Sequence, residues 1–199
     1  MDKNVNHAQC TSSIVDFIVG EDLSEIILVG HSFGGTVIAK VAEAIPERIA
    51  RLVFWNAFVV SDGNSLNDEL PPHYRELFGQ LAADSDDNTI TMPFSIWRES
   101  FINDADIDLA RSTYEQLSTE PYQPLIDKLD MKGFYELEIP RSYINGLEDI
   151  ALPQGEYGWH PRMSNRLGNF RLVQMHGSHE SLFSRPKVLA RKLIQAGRE

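Results

Sequence analysis

The sequence predicts an α/β fold, in which a parallel sheet carries helices on both of its faces. The first observation is an apolar, β-branched run at 25–30 that leads directly into a helix-forming run at 34–45. The second is the run Ile49 to Trp55, whose nearly continuous apolar character is typical of a strand buried in a parallel sheet. The third is the alternation of strands with helices along the chain, which favours parallel pairing through crossover connections.

The other elements follow from periodicity and from the residues that begin or end them. Apolar residues with helical spacing predict a helix over 8–20, which Gly20 closes. Pro140 suits the start of a third strand, and Pro186 suits the first turn of a closing helix. The remaining predictions are strands at 139–145 and 170–175, a helix at 185–196, and helical patches near 72–82, 93–103, 106–117 and 122–130.

The middle of the chain differs from its ends in charge. The net charge is −11, and residues 61–130 hold 15 Asp and Glu against 4 Lys and Arg, which accounts for all of it. We predict an inserted helical cap at 61–130, set into a core formed by 1–60 and 131–199. The charge argues against nucleic acids and anionic membranes as partners. A solvated acidic face that aids solubility is the alternative interpretation.

Length and composition limit the class of protein. The 199 residues can build one domain with a hydrophobic core, and no apolar run approaches the roughly 18 residues that span a bilayer. The first residues lack the apolar core of a signal peptide. Cys10 is the single cysteine, which excludes an internal disulfide and fits a reducing compartment, so we expect a cytoplasmic protein. No cluster of Cys and His has zinc spacing, so no metal is expected.

The turn between the first strand and its helix carries a G-x-S-x-G motif, Gly30-His31-Ser32-Phe33-Gly34, followed by Gly35. In a nucleophile elbow the chain turns so sharply that side chains two residues before and after the serine would clash, so we expect both glycines to be sterically required. Ser32 would stand at the sheet edge, and the helix N-terminus would face a developing oxyanion. His31 is expected to help fix the turn. The alternative is a glycine-rich turn without chemistry.

Two later residues could activate this serine, because a hydroxyl nucleophile needs a base and the base needs an orienting acid. Asp149 follows the third strand in the segment from Gly146 to Pro153 and is the candidate acid, with Glu148 as the alternative. A loop-capping role for Asp149 also stays open.

The candidate base is His179, in the loop between the fourth strand and the last helix. His176 competes with it, although we expect His176 to be packed near the strand. We expect the remaining histidines at the surface or in cap and loop positions; these are His7, His73 and His160.

The chain resembles the α/β-hydrolase superfamily, in particular the branch of plant methylesterases, hydroxynitrile lyases and their bacterial relatives. The matching stretches are LVGHSFGG, IPERIARLVFWNAFVVSDGNSL, YINGLEDIALP and HGSHESLFSRPKVLARKL. The resemblance implies Ser32 as nucleophile, Asp149 as acid and His179 as base. It also implies that the backbone N–H of Phe33 forms half of the oxyanion hole.

Two departures from this branch stand out. Relatives carry further strands and a His-Gly loop upstream, and that loop supplies the second oxyanion donor. We therefore expect an N-terminally truncated α/β-hydrolase fold with an exposed strand edge, or pairing with another subunit such as a second copy. Glu180 follows the base where hydroxynitrile lyases of this branch carry a lysine, which argues against cyanohydrin chemistry.

The leading functional hypothesis is a serine hydrolase that cleaves small to medium neutral carboxylic esters through an acyl-enzyme, without a cofactor. Phe94, Trp97 and Phe101 are candidate substrate-binding residues under the cap, or else core residues within it. One alternative is another reaction on the same triad, such as lactone, amide or C–C hydrolysis or a lyase reaction. The other is a ligand-binding relative that turns over poorly or not at all.

Overall fold

A four-stranded parallel sheet organises the chain, and its strands lie side by side in the order Ile26–Ser32, Ile49–Ala57, Arg141–Gly146 and Arg171–Met175. The computed structural model describes residues 5–198; residues 1–4 and 199, at the two ends of the predicted core, lie outside the described residues. The strands are β1 Ile26–Ser32, β2 Ile49–Ala57, β3 Thr89–Ile90, β4 Glu120–Pro121, β5 Arg141–Gly146 and β6 Arg171–Met175. The helices are α1 His7–Gly20, α2 Gly34–Ala44, α3 Leu66–Glu69, α4 Pro72–Ala83, α5 Phe94–Ile96, α6 Ile107–Tyr114, α7 Gln123–Ile126, α8 Lys132–Glu136, α9 Ser181–Ser184 and α10 Pro186–Gly197. Short 3₁₀ turns lie at Pro46–Arg48 and Ser164–Leu167, and π-helical turns at Trp97–Phe101 and Trp159–Met163.

Strand β2 shows why the sheet carries helices on both faces. Successive side chains of a strand point to opposite faces. Leu52 and Phe54 pack into the cluster that contains the apolar side of α2, whereas Val53 and Trp55 pack into a second cluster with Leu189 of α10. All of these β2 side chains are buried, which is the reason for its continuous apolar sequence. The predicted parallel α/β architecture is confirmed.

The segment 61–130 departs most from the predicted elements. The patch near 122–130 forms only the four-residue helix α7, because the following backbone pairs elsewhere: Leu129 N–H donates to Asn64 O at 3.0 Å, and Gly63 N–H donates to Leu129 O at 2.8 Å. The antiparallel pair β3–β4 was not predicted, since two-residue strands leave no periodic pattern. The division of the chain into core and cap stays a prediction.

Strand β1 ends the sheet within the part of the chain that the structure describes. It pairs with β2 along one side only, and its residues Ile27 and Val29 are 49% and 41% exposed. An exposed apolar strand edge is a site for pairing with further β-structure. Among residues 5–198, no helix is long and apolar enough to cross a membrane.

His7 ties α1 to α2 and corrects the prediction that it lies at the surface. Its side chain is 2% exposed, and its Nε2 lies 2.9 Å from Thr36 Oγ1. The Thr36 hydroxyl donates to Phe33 O at 2.8 Å, so it accepts from a neutral His7 ring protonated at Nε2. Burial lowers the pKa of His7 to about 4. The burial of His7 was not predictable from the sequence, because His7 precedes the apolar stripe of α1.

The turn from β1 to α2 is tighter at Gly35 than at Gly34. Ser32 has a φ of +51°, the left-handed conformation of a strained elbow. A Cβ at Gly30 would lie 2.6 Å from Gly34 O, so the steric requirement at Gly30 is confirmed. The prediction for Gly34 is wrong, because nothing lies within 4 Å of a Cβ there. Gly35 takes that role instead, since its Cβ would meet Phe58 O at 2.4 Å.

We expect protonation of His7 to make the folded protein less stable in mild acid. Its folded-state pKa of about 4 lies below the unfolded value, so the unfolded chain binds the proton first and stability falls as the pH drops from about 6.5 towards 4. Between pH 7 and 4.5 the wild type should lose about 2–3 kcal/mol more unfolding free energy than His7→Gln. Urea titrations at both pH values measure this. Exposed His73→Gln is the control and should behave like the wild type; equal acid sensitivity of His7→Gln and the wild type would contradict the argument.

Gly35→Ala should lower the free energy of unfolding by about 1–3 kcal/mol, because the new methyl group overlaps the Phe58 carbonyl oxygen. Gly34→Ala is the matched control at the next position. It has open space and a helical backbone, so it should be neutral or stabilise by up to about 1 kcal/mol. Denaturant unfolding of both variants measures the difference, and equal effects would refute the assignment of the tight contact to Gly35.

Candidate active site

Asp149 is held rigidly beyond the carboxyl end of β5. Its backbone N–H donates to Gly146 O at 3.3 Å, which forms the turn that leads the chain away from the strand. Its Oδ1 accepts a hydrogen bond from the Ala151 N–H at 2.9 Å, and its side chain is fully buried. The second carboxylate oxygen therefore points in a fixed direction.

That oxygen contacts His179, which lies beyond the neighbouring strand β6. His179 Nδ1 lies 2.7 Å from Asp149 Oδ2, and both side chains are at most 1% exposed. The loop that brings His179 here turns at Gly177, whose φ of +142° and close approach to Ser181 Oγ exclude a side chain. The structure therefore brings together the acid and base that the sequence singled out.

The electrostatics of this pair favour a basic imidazole. Burial by itself lowers the pKa of His179, because a charged ring is poorly solvated in the interior. The charge and hydrogen bond of Asp149 outweigh this and, with a contribution from Glu180, raise the pKa of His179 above its ordinary value. The ring can therefore take up a proton without leaving its place.

Aromatic rings fix the plane of His179. The indole of Trp159 stacks on it at 5.1 Å, and the ring of Phe101 meets it edge-on at 5.3 Å. His31 lies 4.5 Å away and stacks on Trp55 of β2 at 3.9 Å. Its role in fixing the turn stays a prediction. Burial is the main cause that lowers the pKa of His31 well below its ordinary value, and the charge of the neighbouring His179 lowers this pKa further. His31 therefore stays neutral.

Glu148 and His176, the alternative candidates for the acid and the base, pair with each other at the surface. His176 Nδ1 lies 2.9 Å from Glu148 Oε1, and their side chains are 72% and 40% exposed. Arg185 also contacts Glu148, at 3.4 Å. The expectation that His176 is packed is wrong, because the loop turns at Gly177 only after this residue and leaves it pointing outward.

Ser32 and His179 line the same cavity, which has a volume of about 350 Å³. Phe33, the first residue after the serine, lines it too. Of the three candidate substrate-binding residues, Trp97 and Phe101 line this cavity. Phe94 is not among its lining residues; its ring packs against Tyr114 at 5.1 Å and lies under the Arg111 guanidinium.

Other lining residues were missed by sequence reasoning. Trp159 comes from the loop between β5 and β6, where no motif marks it, and Tyr74 and Phe78 come from α4. For the last two, the sequence predicted only a helical patch near 72–82. Glu120 and Glu180 also line the cavity.

One cluster of metal-ligand side chains occurs within residues 5–198, and it lies at this cavity. Ligand atoms of His31, His179 and Glu180 are within 4.8 Å of one another. His179 Nδ1 already contacts Asp149 Oδ2 at 2.7 Å, so that ring nitrogen is engaged by the carboxylate.

Comparisons with known proteins agree with this architecture. The α/β-hydrolase fold family model matches residues 22–89. A solved extracellular α/β-hydrolase from a Paenibacillus species, described as sharing structural and functional homology with tobacco salicylic acid binding protein 2, is 45% identical with a TM-score of 0.97, and the match covers 99% of this chain and 82% of that one. A solved pyrethroid hydrolase from Sphingobium faniae is 26% identical with a TM-score of 0.75, over 96% and 77% of the two chains.

Two of the curated relatives are described as esterases. Putative methylesterase 11 of Arabidopsis thaliana is 26% identical over 87% of this chain and 46% of its own length. A carbendazim hydrolyzing esterase of Nocardioides is 42% identical over 35% of this chain and 28% of its own length. The chain thus spans less than half the length of these two relatives. The likeness to the Paenibacillus protein over nearly the whole chain confirms the resemblance seen in the sequence: the chain belongs to the α/β-hydrolase family, in its methylesterase-like branch.

Proposed function

We propose that this protein is a carboxylic ester hydrolase with Ser32 as nucleophile, His179 as general base and Asp149 as the orienting acid. The observation that carries the proposal is the buried His179–Asp149 contact of 2.7 Å beside a cavity that Ser32 also lines. A surface ion pair would be weak evidence, but two titratable groups buried together next to a strained serine point to nucleophilic catalysis.

The proposed reaction follows from the roles of these groups. Ser32 Oγ attacks the ester carbonyl carbon while His179 Nε2 takes the hydroxyl proton. Asp149 keeps the His179 Nδ1 proton in place and stabilises the imidazolium that forms. The backbone N–H of Phe33, at the start of α2, stabilises the oxyanion. His179 then gives its proton to the leaving alcohol. In the second half-reaction His179 takes a proton from the water that attacks the acyl-enzyme, and it returns that proton to Ser32 Oγ as the carboxylic acid is released. No step requires a cofactor.

The cavity suggests the size of the substrate. About 350 Å³ with mostly aromatic and aliphatic walls suits a small to medium ester without negative charge. The names of the relatives, methylesterase, carbendazim hydrolyzing esterase and pyrethroid hydrolase, are consistent with this class. Tyr74, Phe78, Trp97 and Phe101 all come from 61–130, which supports that segment as the substrate-binding cap.

The location proposed from the sequence is the cytoplasm. Cys10 is the single cysteine in the chain, and it is half-buried and free. A protein without disulfides suits a reducing compartment. The Paenibacillus relative is described as extracellular, so fractionation of the producing cells is the direct test.

Labelling with a fluorophosphonate tests the nucleophile directly. Intact mass should show one adduct on the wild type and none on Ser32→Ala, because only a serine with an adjacent base is reactive enough. Ser118 also lines the cavity, so Ser118→Ala is the matched control and should be labelled like the wild type. A folded wild-type protein that takes no label, or a label that persists on Ser32→Ala, would refute the proposal.

Asp149→Asn should lower kcat for an activated ester such as p-nitrophenyl acetate by about 10⁴-fold, because the amide no longer holds the catalytic tautomer of His179. Glu148→Gln, one residue earlier, changes a surface pair and should keep kcat within about threefold, since exposed ion pairs contribute about 1 kcal/mol or less. Steady-state rates at one pH compare the two. A larger loss in Glu148→Gln than in Asp149→Asn would reassign the acid to Glu148.

A further inference from the structure

Apart from histidines, two charged side chains are among the described residues that line the cavity, and both are carboxylates. Among the described residues that line it, Glu120 and Glu180 carry negative charge, and none is a lysine or an arginine. The rest of the lining is largely apolar. Apart from the histidines, no basic side chain among these lining residues offsets the two negative charges.

Glu120 reaches the cavity from the β3–β4 hairpin. It stands directly opposite Ile90 in this antiparallel pair, and residues opposite each other share a face of the sheet. Ile90 is buried and also lines the cavity, so both side chains face it. The Glu120 carboxylate makes no hydrogen bond or ion pair with the described residues, and its side chain is exposed at the cavity wall.

Glu180 lines the same cavity and directly follows the proposed base in the sequence. Its backbone N–H donates to Phe101 O at 3.0 Å, which fixes its position, but its carboxylate makes no hydrogen bond or ion pair with the described residues. Burial raises the pKa of Glu180, and the neighbouring His179 partly counters this. Within residues 5–198, no lysine or arginine pairs with either carboxylate.

Aromatic rings line the same cavity as the two carboxylates. Phe101 and Trp159 pack against His179, and Trp97, Tyr74 and Phe78 also line the cavity. Aromatic faces attract cations, and quaternary ammonium groups are bound by cages of such rings. Carboxylates and aromatic faces together form the chemistry that recognises an organic cation of low hydration.

We propose that this cavity selects esters that carry an ammonium group, with Glu120 and Glu180 as the specificity-determining residues. The inference rests on the proposed ester hydrolysis and narrows its substrate class: a neutral ester fits the cavity, and a cationic group on the ester adds attraction to both carboxylates. An ester with an additional negative charge is disfavoured by the same groups.

Two isosteric esters test the selectivity. Acetylcholine and 3,3-dimethylbutyl acetate have the same shape, and only the first carries a positive charge. The wild type should show a kcat/KM about 10-fold higher for acetylcholine, within the range of cation–aromatic and charge contributions. In Glu120→Gln and Glu180→Gln this ratio should fall towards one. Because the ratio compares the kcat/KM of two esters in the same variant, a general loss of activity caused by the substitution does not change it.

Glu115→Gln is the matched control, because Glu115 is an exposed acid of the same segment that does not line the cavity. It removes the same charge and should keep the wild-type ratio. A wild-type ratio near one, or a ratio that stays at the wild-type value in both cavity variants, overturns the inference. A ratio that falls equally in Glu115→Gln also overturns it, since net charge alone would then explain the preference.

Binding of the alcohol products separates this inference from the proposed function. Choline and 3,3-dimethylbutan-1-ol are titrated into the wild type and the three variants, and Kd is measured by calorimetry. A choline preference that Glu120→Gln and Glu180→Gln reduce supports the inference even if neither ester is hydrolysed, in which case the proposed function fails alone. Equal or absent binding of both alcohols overturns the inference even if the neutral ester is hydrolysed.

Discussion

The buried contact between His179 and Asp149 is the constraint on which the rest of the structure depends. The two residues are 30 positions apart in sequence, yet their side chains must meet at 2.7 Å with almost no solvent. Parallel pairing of β5 with β6 achieves this, because it places the carboxyl ends of both strands side by side. A shift of one residue in that register would move every side chain to the other face of the sheet and separate the pair.

The other half of the site depends on close packing rather than on charge. Ser32 holds its left-handed conformation because Gly30 and Gly35 let α2 fold back against β1 and against the chain after β2. His7 and Thr36 then fasten α1 to this turn through a neutral hydrogen bond. The link is neutral because burial lowers the pKa of His7 to about 4.

The sheet, its parallel sense and the meeting of Asp149 with His179 were predictable from the sequence, because each leaves a local signal. Strands buried on both faces, such as β2, are apolar throughout, and Asp149 and His179 each follow a strand in a short, glycine-containing loop. Contacts decided by distant packing were not predictable. Examples are the burial of His7, the absence of Phe94 from the cavity and the steric role of Gly35 in place of Gly34.

The negative charge of residues 61–130 reaches the candidate site through a single residue of that segment among the described residues. Residues 61–130 carry the whole net charge of the chain, but of their acids only Glu120 is among the described residues that line the cavity. The other acids of this segment act at longer range, where salt screens them within about 8–10 Å. Glu120 and Glu180 line the cavity itself, so in the proposed recognition they act on the substrate at short range, where Coulomb attraction is strongest. Of the acids in 61–130, Glu120 is therefore the one that the proposed recognition uses, and the others contribute mainly to solubility.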